Sequence, residues 1–131
     1  MDLILDTSII IEIFGGNERV HEHLKNQGNK VFGITSVTEF ELYCVDLKEK
    51  EVIMLDSLEA CDFDKKAGRI GGYIFNDLKK AGKMPKIKDL LIAATCIANN
   101  KKLITGDGDF ESFKKYGLDV EIIYQDIKRD I

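Results

Sequence analysis

The nine residues Leu3-Ile-Leu-Asp-Thr-Ser-Ile-Ile-Ile11 constrain this chain most. Three apolar residues run into one acid, and a second apolar run follows at once. Leu3 to Leu5 suit a strand buried on both faces, as inside a parallel sheet with helices on either side. Thr7 or Ser8 can cap a helix that carries Ile9 to Phe14. Asp6 then stands where a central strand ends and a helix begins, the edge of an open α/β sheet at which ligands bind. The stretch alone leaves two readings of Asp6 open: an N-cap whose carboxylate serves only the backbone, or an acid that faces a ligand.

The same alternation continues along the chain. Gly15-Gly16 ends the first helix. Asn17 can cap a short second helix with Val20 and Leu24 inward, ending by Gly28. His21 and His23 lie two apart on different sides of it and read as surface histidines, not as a metal-binding pair. Val31 to Thr35 reads as a second strand. Ser36-Val-Thr-Glu39 has the form of a capping box, which gives Glu39 the task of reaching back to the Ser36 amide. Glu41 lies about 200° further round the helix, with Thr38 on its face. It is either solvated or functional. Val52 to Ala60 reads as a helix tail followed by a short edge strand.

Asp62 or Asp64 can cap a longer helix with Ala67, Ile70, Ile74, Leu78 and Ala81 at helical spacing. Gly71-Gly72 interrupts its pattern, Gly82 stops it, and Pro85 lies in the loop beyond. Asp89 to Ala98 is apolar almost all round and reads as a buried helix. Asp89 sits at its amino end, where the dipole and free amides favour a carboxylate. Lys102 to Thr105 is a strand. Gly106-Asp-Gly-Asp-Phe110 opens a helix to Tyr116, and Val120 to Tyr124 is a last strand before a polar tail, Gln125 to Ile131.

Alternating strands and helices predict a three-layer α/β/α fold with a mostly parallel central sheet, in one domain spanning 1–131. In that topology the carboxyl ends of the strands share an edge. Asp6 and Asp107 follow strands at that edge, Asp89 begins a helix that can reach it, and Glu41 lies one turn into the helix after the second strand. Four carboxylates therefore converge on one cleft, where they would repel one another unless a cation compensates them. Oxygen donors without His or Cys suit magnesium or manganese. Such ions on a carboxylate cage can activate water and stabilise the leaving oxygen of a phosphodiester.

The remaining features bound the setting. Net charge is −4, so no overall basic field advertises nucleic acid, although an acidic nuclease site is compatible with it. Lys79, Lys80, Lys83, Lys86 and Lys88 fall within ten residues, just before Asp89. They are either a solvated face or phosphate contacts. No apolar run is long enough to span a bilayer, and Asp2 and Asp6 break the pattern of a signal peptide. Cys44, Cys61 and Cys96 are odd in number and widely spaced, as expected of reduced thiols in a cytoplasmic protein.

Two motif readings fail. A calcium loop starting at Asp107 needs Gly sixth and Glu twelfth, where Ser112 and Leu118 stand. A phosphatase of the haloacid dehalogenase type needs a second Asp two residues after Asp6, where Ser8 stands. The chain instead resembles the PIN-domain ribonucleases, specifically the VapC-type toxins of prokaryotic type II toxin–antitoxin pairs. The matching pieces are Leu5-Asp-Thr-Ser8, Thr38-Glu-Phe-Glu41, Pro85-Lys-Ile-Lys-Asp-Leu-Leu-Ile-Ala-Ala94 and Leu103-Ile-Thr-Gly-Asp-Gly-Asp-Phe110, in the family's order. Cys44 departs from it, standing where many relatives have Gly.

The resemblance implies an endoribonuclease that uses magnesium or manganese and leaves 5′-phosphate and 3′-hydroxyl ends. It implies Asp6, Glu41, Asp89 and Asp107 as the catalytic, metal-holding quartet. Thr105 would be a hydroxyl that orients Asp6, and Asp109 a supporting acid or helix cap. Lys83, Lys86 and Lys88 become candidate RNA contacts. A homodimer and a small VapB-type antitoxin are implied as partners, with no membrane association. The rival readings are a housekeeping RNA-processing nuclease without an antitoxin, and a non-catalytic PIN-like module that binds RNA or protein.

Overall fold

The computed structural model describes residues 1–123. Five strands form one sheet in the order β3-β2-β1-β4-β5: β1 Leu3–Leu5, β2 Phe32–Thr35, β3 Glu59–Cys61, β4 Lys102–Thr105 and β5 Val120–Ile122. All four pairings are parallel. Among the described residues the sheet is parallel throughout, in keeping with the expected parallel sheet. Tyr124 and the tail from Gln125 to Ile131 lie outside the described residues.

Side chains alternate across each strand and so divide the core in two. Leu3, Leu5, Ile34 and Ile104 point to one face, where they pack with Ile9 and Ile10 of α1 (Thr7–Phe14), Val20 and Leu24 of α2 (Glu18–Lys25) and Leu55 of α4 (Glu49–Asp56). Ile4 and Leu103 point to the other face. There they meet Ile74 and Leu78 of α5 (Lys65–Lys80), Ile92 and Ala93 of α6 (Ile87–Asn99), and Phe110 and Phe113 of a 3₁₀ helix, Gly108–Tyr116. Between β2 and α4 lies α3 (Ser36–Tyr43), which sends Leu42 to the first core and Val37 to the second. The result is the three-layer α/β/α arrangement. No helix among the described residues is long and apolar enough to cross a membrane.

The Gly71-Gly72 pair has two different settings. A Cβ at Gly71 would lie 3.4 Å from the Ala94 Cβ, so this glycine lets α5 approach α6 closely. Gly72 is exposed, with nothing near it.

Two of the expected caps are overturned. Thr35, not Ser36, caps α3, its hydroxyl accepting from the Thr38 amide at 3.1 Å. The Ser36 hydroxyl accepts from the Phe63 amide at 3.1 Å, so Glu39 has no box to close. At α1 the N-cap position falls on Asp6, because β1 ends at Leu5 and the helix starts directly at Thr7. Thr7 and Ser8 lie inside the first turn, which frees their hydroxyls for other work. Asp64 caps α5 and Asn17 caps α2.

Candidate metal centre and active site

The strand order places the site. From β1 the chain builds outward to β2 and β3, then returns to add β4 and β5 on the other side. The crevice where that direction reverses lies at the carboxyl ends of β1 and β4, the position at which open α/β sheets bind ligands. Leu5 pairs with Ile104, and the Asp6 amide donates to the Ile104 carbonyl at 2.9 Å. Asp6 and the Gly106-Asp107 turn are thereby fixed side by side.

Among the described residues Asp6 is the one buried carboxylate. The Thr7 and Ser8 amides of its own helix favour its charged form without closing a full cap bond. Asp6 Oδ2 accepts from the Thr105 hydroxyl and from the Ser8 hydroxyl, each at 2.8 Å. Both hydroxyls also accept a backbone amide from the adjoining turn: Asp107 to Thr105 and Gly106 to Ser8, each at 3.0 Å. Two side chains thus lock Asp6 to the turn that carries Asp107. Burial pushes the Asp6 carboxyl above the ordinary range, and the Thr105 and Ser8 hydroxyls oppose that push.

The other acids gather in front. Asp89, in the first turn of α6, stands half-buried with Asp107 and Asp109, and carboxylate oxygens of the three lie within 4.8 Å of one another. Asp107 caps the 3₁₀ helix by accepting from the Asp109 amide at 2.9 Å, which folds the two acids together. The Asp89 carboxyl is pushed up to about 6, first by burial and then by the charges of Asp107 and Asp6, with a smaller push from Glu41. Asp89 therefore senses all three other members of the expected quartet. Glu41 is held to one side, its Oε1 accepting from the Thr7 hydroxyl at 2.7 Å. Glu39 points elsewhere; burial and then the Asp56 charge raise its carboxyl.

Two of the candidate lysines reach this rim. Lys86 Nζ lies 3.1 Å from Asp109 Oδ2, and Lys88 Nζ lies 3.9 Å from Glu41 Oε2. Their side chains are 70% and 60% exposed, so both pairs are screened and exchangeable. Lys83 is exposed in the loop after α5 and does not line the cleft. That cleft, about 420 Å³, is bounded by Met84, Pro85, Lys86, Asp89, Gly108 and Asp109. A larger groove of about 630 Å³ lies between α5 and Tyr116 and holds none of these acids.

The donor set is carboxylate oxygen throughout, which fits a hard divalent cation, and the mutual repulsion felt by Asp89 is what such a cation relieves. Sequence reasoning gave Asp109 only a supporting place, whereas the structure puts it in the tightest group. It also missed Ser8 as a link between Asp6 and the Gly106 turn, and Thr7 as the partner of Glu41. The signal for both was two hydroxyl residues directly after an acid at a strand end.

Residues 3–116 match the PIN-domain family model. The chain belongs to the PIN-domain family. It is 53% identical over 94 residues to Ribonuclease VapC3 of Methanocaldococcus jannaschii, a match covering 72% of this chain and 97% of that relative. Among solved structures it resembles VapBC2 from Rickettsia felis, bound to a DNA fragment from its promoter, at 28% identity and a TM-score of 0.76, covering 93% of this chain and 98% of that one. DNA-bound VapBC from Salmonella typhimurium superposes with a TM-score of 0.75 over 93% of this chain and 98% of that one; at 23% identity that likeness concerns the PIN fold alone.

Proposed function

We propose that this chain is a metal-dependent endoribonuclease and the toxin of a toxin–antitoxin pair. The observation that carries the proposal is the convergence of Asp6, Glu41, Asp89, Asp107 and Asp109 on one edge of the sheet, where among the described residues two exposed lysines pair with them. The likeness to Ribonuclease VapC3 supports the ribonuclease reading, and the likeness to VapBC2 supports an antitoxin partner.

In this reading Asp89, Asp107 and Asp109 would hold the ion together with Asp6 and Glu41. Magnesium or manganese, when bound, supplies Lewis acidity for in-line hydrolysis of a phosphodiester. Thr105 and Ser8 aim Asp6 and favour its ionised form by donating to it. A carboxylate at the rim takes the proton of the attacking water. Lys86 and Lys88, weakly paired at the lip, turn to RNA phosphates as substrate enters, with Lys83 as a more distant contact.

The test is incubation of the purified chain with total RNA, with magnesium or manganese against chelator, followed by mapping of the cut ends. Cleavage with the ions and none with chelator is expected, with 5′-phosphate and 3′-hydroxyl ends. Cleavage indifferent to chelator overturns the metal assignment. Expression of the chain alone should arrest growth, and a small neighbouring DNA-binding protein should relieve the arrest. Normal growth with soluble protein present favours a housekeeping nuclease or a binding module. Neutralising Lys83, Lys86 and Lys88 together should flatten the salt dependence of RNA binding, by about one log–log unit for each phosphate that a lysine no longer neutralises.

A further inference from the structure

Among the described residues five polar ones are buried, and four of them, Asp6, Thr35, Thr38 and Thr105, lie beneath the acidic rim. Thr105 serves Asp6. The Thr35 and Thr38 hydroxyls have other hydrogen-bond partners. They continue a line that ends on Glu41. Thr7 Oγ1 is 2.7 Å from Glu41 Oε1 and 3.0 Å from Thr38 Oγ1, and Thr38 Oγ1 is 3.5 Å from Thr35 Oγ1.

The proton positions along this line follow from valence. A threonine hydroxyl has one proton to donate, and an ionised carboxylate can only accept. Thr7 must therefore spend its proton on Glu41 and accept from Thr38. Thr38 donates to Thr7 at 3.0 Å in preference to Thr35 at 3.5 Å, a length at which a hydroxyl bond is weak. Thr35 has a separate anchor, accepting the Thr38 amide at 3.1 Å. The direction is fixed from the buried end toward the carboxylate, and each bond polarises the next.

We infer that Thr7 is a positioning residue for Glu41, and that Thr38 orients Thr7. The Thr38–Thr7 relay pins Oε1 and leaves Oε2 turned to the rim, where Lys88 Nζ lies 3.9 Å away. A glutamate on a helix has three side-chain torsions to settle before it can hold an ion. Here one oxygen is fixed in advance by a helix, α1, that begins at the neighbouring ligand Asp6. The relay thus joins α1 and α3, the elements carrying Asp6 and Glu41. This inference rests on the reading of Glu41 as one of the carboxylates serving the ion.

The test compares Thr7→Val, which keeps the shape and loses the hydroxyl, with Thr7→Ser, which keeps the hydroxyl. Mn²⁺ affinity is measured by titration calorimetry, with the melting temperature as a check on folding. Thr7→Val should weaken Mn²⁺ binding about tenfold or more, within the 10–100-fold typical of a missing partner to a metal-holding group. Thr7→Ser should restore it to within about twofold. Thr38→Val should fall between. In addition, the Thr7 hydroxyl proton of the ion-free wild-type chain should exchange slowly enough to appear in the proton NMR spectrum. Wild-type affinity in Thr7→Val, an equal loss in Thr7→Ser, or a rapidly exchanging Thr7 hydroxyl overturns the relay while leaving the metal site standing. A wild-type chain that holds no Mn²⁺ overturns the metal site itself, and the relay's role with it.

Discussion

Asp6 is ionisable, buried and at the centre of the crevice, and two hydroxyl donors stand against the cost of desolvating it. Removing either donor breaks two hydrogen bonds, not one. In Thr105→Val the carboxylate loses a donor and the Asp107 amide loses its acceptor. We expect a loss of about 1–3 kcal/mol, the range for a buried polar group left unsatisfied, read as a fall in the urea midpoint. Thr105→Ser should recover most of it. The two glutamates of α3 make a sharper contrast. Glu41→Gln removes a charge from the rim and should reduce RNA cleavage by more than the 10–100-fold that removal of an outer partner costs. Glu39→Gln should keep near wild-type activity, although not for the reason the capping-box pattern suggests: Glu39 faces Asp56, away from the crevice. Its substitution relieves a like-charge contact, so its melting temperature should be unchanged or slightly higher. Equal loss of cleavage in the two variants would remove Glu41 from the site.

At the scale of elements, much is legible from pattern alone, for identifiable reasons. β1 and β4 read correctly because both faces are buried, so apolar runs end abruptly in Asp6 and Gly106-Asp107. The caps of α1 and α3 mislead because strand and helix abut. Thr35 and Ser36 are both competent caps, and only the Phe63 amide arriving from beyond β3 gives Ser36 a different partner. Asp109 comes close to Asp107 because Asp107 caps a 3₁₀ helix through the Asp109 amide. Sequence does not separate that from an α-helix. The Gly71-Gly72 pair is opaque because its cause lies on another helix. With α6 in place the two positions separate. Gly72→Ala meets open space and gains helix propensity, so it should stabilise by about 1 kcal/mol in denaturant titration. Gly71→Leu must push into Ala94 and should cost about 1–3 kcal/mol through overpacking. Stabilisation by Gly71→Leu would mean that the α5–α6 contact is looser than the structure describes.

For the molecule as a whole, the acidic crevice sets how stability depends on pH and on divalent ions. Asp89 has a folded pKa of about 6 against an ordinary value of 3.8, and Asp6 is shifted in the same direction. Raised folded values mean that the native chain binds more protons than the unfolded chain between those limits. Without metal, the stabilising effect of these protonated groups is complete below about pH 4, where unfolded carboxylates titrate, and is lost as pH rises through about 6. The ion-free melting temperature should therefore fall over that window. A divalent cation that binds only the native chain opposes the fall. At a hundredfold excess over Kd it contributes about 2.7 kcal/mol, a shift of several degrees. The gain should be largest at neutral pH and shrink toward pH 5, as protons compete for the carboxylates. Asp89→Asn separates the two effects. It removes a half-buried charge that Asp107 and Asp6 repel, so it should raise the ion-free melting temperature at pH 7, flatten the profile between pH 4 and 6, and lose most of the response to magnesium and manganese. Thermal melts across pH, with ion or with chelator, measure all three. A wild-type melting temperature indifferent to millimolar magnesium and manganese at pH 7 would mean that these acids repel one another for some purpose other than holding a metal.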